Sequence, residues 1–180
     1  MPTDESNINE KLVEALAWFD EDSRLDRVKR IDRASSLYQS PGIVSGEFVP
    51  LAMMEEARDC FVNGQYMAAV LCAASLIEHL IVAKLENKSG ASSNKLTLGM
   101  LLDNDSVKKI FPAETLDRLK ELNELRNPLA HRRATNDKTT LTNRYLTRQV
   151  HPHVVMENDA RLSLEIMYEF ILQVLKHGDR

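Results

Sequence analysis

Gly64-Gln65-Tyr66-Met67-Ala68-Ala69-Val70-Leu71-Cys72-Ala73-Ala74-Ser75-Leu76-Ile77-Glu78-His79-Leu80 is the stretch that decides the fold class. Ala68, Ala69, Cys72, Ala73 and Ser75 leave little side-chain bulk, so another helix can approach closely, while Val70, Leu76, Ile77, Leu80 and Ile81 supply apolar area. A helix is expected over residues 65–88. Upstream, Pro50 suits a helix N1 position, Met53, Met54, Ala57 and Phe61 recur on one face, and Gly64 ends that helix. With so short a turn between them, the two helices must run antiparallel.

Working outward in the C-terminal direction, residues 89–95 read as a polar loop, and 96–102 and 107–111 as short helical pieces. Pro112 opens a longer helix with Leu116, Leu119, Leu122 and Leu125. Residues 132–153 are rich in Thr, Asn and Arg with little periodicity, which reads as a long loop, functional or mobile. A closing helix over 156–177 is apolar on more than one side, so one face should pack in the bundle and part of the other against a second subunit. Toward the N-terminus, Leu12, Ala15, Leu16 and Phe19 keep helical period. Ser23 followed by Asp26 can start a second helix through a capping box. The expected architecture is all-α: an antiparallel helical bundle over 50–180, preceded by a two-helix extension over 1–39 and, after the break at Ser40-Pro41-Gly42, a linker over 40–49.

The chain has 180 residues and a net charge of −4, which argues against coating nucleic acid by bulk electrostatics. The charge is unevenly placed. Residues 126–148 hold six Lys or Arg against Asp137 alone, whereas residues 1–22 hold seven acids against Lys11. A basic site facing RNA would explain that asymmetry, and so would binding of the two segments to each other. No apolar run reads as a membrane span and the first ten residues are polar and acidic, so no membrane association and a cytoplasmic location are expected. Cys60 and Cys72 lie in apolar helical surroundings and read as buried thiols. His151-Pro152-His153 has a metal-like spacing but no Asp, Glu or Cys nearby to complete a site, so neither metal nor cofactor is expected.

Arg126-Asn127-Pro128-Leu129-Ala130-His131 carries the chemistry. A guanidinium holds a phosphate through paired N–H donors, and an imidazole can take and give a proton near neutral pH. On a straight helix Arg126 and His131 would lie about 140° apart, whereas Asn127 and His131, an i,i+4 pair, share a face. An Arg and a His near a helix C-terminus also complement the macrodipole, which is the structural alternative.

The Arg-polar-x-x-x-His pattern, together with the small-residue helix carrying Glu78 in its middle, resembles the HEPN superfamily over residues 50–177. That resemblance implies a metal-independent endoribonuclease of toxin or antiviral type, leaving a 2′,3′-cyclic phosphate and a 5′-hydroxyl. Its cleft would form where two motif helices meet across a homodimer. It assigns Arg126, Asn127 and His131 to catalysis. Glu78 would support the cleft, or pair with an Arg or a helix N-terminus instead; Arg132 and Arg133 would contact phosphate, and Tyr145 could stack a base. RNA is then the partner, with an antitoxin protein as a further one. The alternative is a non-catalytic regulatory or scaffold module that dimerises and binds a protein or nucleotide.

Overall fold

A computed structural model describes residues 9–37, 48–89 and 96–176, and all regular structure among them is helical. In chain order the helices are α1 (Glu10–Leu37), α2 (Phe48–Val62), α3 (Tyr66–Ser89), α4 (Leu98–Asp103), α5 (Asp105–Ile110), α6 (Ala113–Ala130), α7 (Leu141–Arg148) and α8 (Pro152–Lys176).

α2 ends in a Schellman turn: Gln65 N–H donates to the Cys60 carbonyl at 2.8 Å and Gly64 N–H to Phe61 at 3.1 Å. Gly64 has φ +76°, a left-handed conformation that costs glycine little, so the chain reverses at once into α3. α3 is the central helix, packed on α2, α6, α8 and the short α4. Ala69 and Ala73 are fully buried on it, beside Leu76, Ile77 and Ile81. Facing them are Phe61 of α2, Leu119 and Leu122 of α6, and Leu164, Met167 and Phe170 of α8, which together make one core. By length and composition Tyr66–Asn87 is apolar enough to cross a membrane, contrary to the sequence-based count of apolar runs. Half of its apolar window is buried inside the bundle, and being the centre of the core accounts for that composition. Cys60 is buried and Cys72 half-buried, both free, and burial pushes both thiols above their ordinary value.

The N-terminal extension differs from expectation. α1 is a single helix that runs unbroken through Ser23. As an N-cap, Ser23 would need extended backbone and an Oγ accepting a helical N–H. Instead its Oγ has no partner, Asp26 pairs with Lys29, and Arg27 reaches back to the carbonyl and carboxylate of Asp20, bridging the turn where a break was expected. Only the C-terminal part of α1 docks. There Ala34 is buried, and Arg30, also buried, donates from Nε to the Val62 carbonyl (2.8 Å) and from Nη1 to the Tyr66 hydroxyl (3.3 Å). The expected linker over 40–49 lies outside the described residues except for Phe48 and Val49, which already belong to α2.

Candidate functional site at the end of α6

α6 carries the Arg-Asn…His motif to one end of the bundle and continues through Pro128 to Ala130. His131 is its C-cap, with extended backbone (φ −134°, ψ 135°), and its N–H donates to the Asn127 carbonyl at 3.0 Å. The helical projection therefore stops one residue short of the imidazole. Asn127 holds His131 by its backbone carbonyl, with no hydrogen bond between the two side chains. Arg126 and Asn127 are half-buried and His131 is exposed. Among the described residues no side chain hydrogen-bonds or ion-pairs with Arg126 or with the imidazole of His131.

Beside the motif lies a groove of about 250 Å³ walled by Tyr66, Met67, Pro128, Leu129, Leu141 and Met156. Arg133 and Thr139 stand at its polar side, and Arg144 and Asp159 also line it. Arg144 is bound to Asp159 through two bonds of 2.5 and 2.6 Å. This bidentate pair removes one of the six cations of the 126–148 stretch from ligand binding. Arg132, Arg133, Lys138 and Arg148 are exposed, and none of them forms an ion pair among the described residues.

The long loop expected over 132–153 contains a helix. Thr140 caps α7 by accepting from Asn143 N–H, Gln149 closes it in the left-handed region (φ 53°), and Pro152 starts α8 earlier than expected. The connection to α6 is itself ordered by Asp137, whose carboxylate accepts from the Thr139 N–H (2.8 Å) and hydroxyl (2.6 Å). Those bonds hold the Asp137 carboxyl below its ordinary value. Asn143 adds side-chain bonds to the carbonyls of Thr135 and Asp137. The turn was legible as Asp-x-Thr followed by a capping Thr, although strong periodicity was lacking.

Of the other candidates, Tyr145 is partly exposed on α7. Glu78 lies across the bundle at α4, where its Oε2 accepts from the Leu98 N–H at 2.8 Å, so it caps a helix N-terminus and lies apart from the groove beside the motif. His79 is exposed, His153 meets the Tyr66 ring edge-on at 5.0 Å, and His151 Nδ1 accepts from the His153 N–H. No protein-family model, curated protein or solved structure matches the chain.

Proposed function

We propose that the chain is a metal-independent endoribonuclease of toxin or defence type, acting in the cytoplasm as a homodimer whose two motif ends form the cleft. One observation carries this reading: Arg126 and His131 sit at one helix end with their side chains unspent, flanked by the exposed cations Arg132 and Arg133. Half-buried and exposed groups with no internal partner can engage a phosphate without breaking the fold. In the proposed reaction an RNA 2′-oxygen attacks the adjacent phosphorus, its proton passing to the His131 imidazole. The P–O5′ bond breaks and the departing oxygen is protonated by an imidazolium, leaving a 2′,3′-cyclic phosphate and a 5′-hydroxyl. Arg126 offsets charge on the non-bridging oxygens. Asn127 fixes the backbone of His131, and Arg132, Arg133 and Tyr145 bind the flanking RNA. An antitoxin protein covering this end would silence it.

The test is incubation of purified wild type, Arg126→Ala, His131→Ala and the double variant with unstructured RNA in EDTA, followed by analysis of product ends. Cyclic-phosphate ends, loss of most cleavage in each single variant, and a double variant little worse than either are expected, because both groups serve one transition state. Metal-dependent products with 5′-phosphates would overturn the mechanism. A second reading, a non-catalytic scaffold that dimerises, is favoured by the acidic balance of the chain, whose net charge is −4. A folded wild type that cleaves no RNA would put it ahead.

A further inference from the structure

The N-terminal part of α1 overhangs the bundle. Arg33 pairs with Glu157 at 2.9 Å, and one turn earlier Arg30 donates to the hydroxyl of Tyr66, whose ring meets His153 in the first turn of α8. Residues before Asp26 therefore extend past the start of α8, a projection of about 24 Å at 1.5 Å per residue. This is also the end of the bundle where α6 stops and where α7 turns into α8 through Val150.

The overhang carries two features that a free helix does not need. Leu12, Leu16 and Phe19 are exposed on one face, and Val13, Trp18 and Leu25 are exposed on others. Leu12 lies about five turns before Arg30, and Leu16 the same distance before Ala34, so this stripe continues the very face that docks on α2 and α8. The second feature is charge. Glu10, Glu14, Asp20, Glu21 and Asp22 stand against Lys11 and Arg24, and of these acids only Asp20 forms an ion pair among the described residues, within α1. At the same end, α7 and its flanks present the mirror of this pattern. Leu146, Val150 and Val154 are exposed apolar residues of this face, and it also carries the exposed cations Lys138 and Arg148, which form no ion pair among the described residues.

We infer that the overhanging half of α1 docks on the α7 face of a second copy of this chain, reciprocally, in a twofold dimer. Both halves of the match, apolar against apolar and acid against base, are carried by one chain. Within a single copy the two surfaces stay apart, since the stripe remains exposed on a continuous helix. The inference shares with the proposed function the need for a dimer and differs from it in the surface used, so a dimer indifferent to the α1 substitutions would sink this interface and leave the cleavage reading standing.

The experiment is sedimentation velocity on the full chain at low salt across a concentration series, with circular dichroism as the check on folding. Wild type is expected to dimerise. Leu16→Asp with Phe19→Asp, both at exposed positions, should raise the dimer Kd at least tenfold without loss of helicity. Lys138→Glu with Arg148→Glu should weaken the dimer as well, and adding Glu14→Lys with Glu21→Lys to that variant should restore it. A wild type that stays monomeric throughout overturns the inference. So does a dimer indifferent to the α1 substitutions, which would point to another interface. Failure of the charge swap to rescue would exclude the α7 face as the docking surface.

Discussion

Arg30 shows how one side chain joins an extension to a bundle. It lies in a helix that is mostly exposed, yet it is 8% exposed itself and meets two acceptors, the last carbonyl of α2 and the Tyr66 hydroxyl, with its guanidinium 5.9 Å from the Tyr66 ring centroid. Hydrogen bonds from a charged donor contribute about 1.5–3 kcal/mol. Arg30→Met, which keeps much of the apolar stem, is therefore expected to cost about 2 kcal/mol, read as a lower urea midpoint at unchanged m-value. Its position was not legible as special, because α1 is rich in Arg throughout and only the docked geometry distinguishes Arg30 from the exposed Arg24. His131 shows the opposite case. Its identity and spacing were plain in the sequence, but the direction of its side chain was not, because the helix ends at Ala130 and the i,i+4 projection no longer applies.

At the scale of elements, two short helices depend on polar side chains from elsewhere. α4 begins with a fully buried Leu98 whose N–H is satisfied by Glu78. Loss of such a cap costs about 1 kcal/mol. Glu78→Ala should therefore raise hydrogen exchange in α4 while leaving RNA cleavage per folded molecule unchanged; a selective loss of cleavage would return Glu78 to the active site. The Asp137 turn that leads into α7 adds a pH dependence. Its carboxyl is depressed in the folded turn, chiefly by the Thr139 hydroxyl and then by the Thr139 N–H. The stabilisation is fully present above the ordinary carboxylate value near ~3.9 and is lost as pH falls through the lower folded value. Amide resonances of residues 137–143 should broaden or shift below that range, ahead of those in α3, and Asp137→Asn should show no such step. Helix α7 itself was missed although Leu141 and Tyr145 keep helical spacing, because eight residues rich in Thr, Asn and Arg make too short a segment to stand out, and what holds it is its caps and the Arg144–Asp159 pair.

On the scale of the whole molecule, the candidate site is positioned by the core. Leu122, fully buried on α6 one turn before Arg126, fixes that helix against its neighbours. Leu122→Ala should cost about 2–5 kcal/mol in chemical denaturation, the range for a buried Leu cavity. The sequence by itself determined the helical class, the α2–α3 reversal at Gly64 and the close approach of another helix to α3, because these follow from local propensity, capping, small side chains and the 3.6-residue period. It also marked the Arg126-Asn127…His131 cluster and the opposed charges of the two chain segments. Only the tertiary structure decided that α1 is one helix docked by Arg30 and that Glu78 serves α4. Tertiary structure alone also showed Arg144 spent on Asp159, and Arg126 and His131 left unpartnered. Each of these depends on residues distant along the chain coming to lie a few ångströms apart, and periodicity within a segment carries no record of such neighbours.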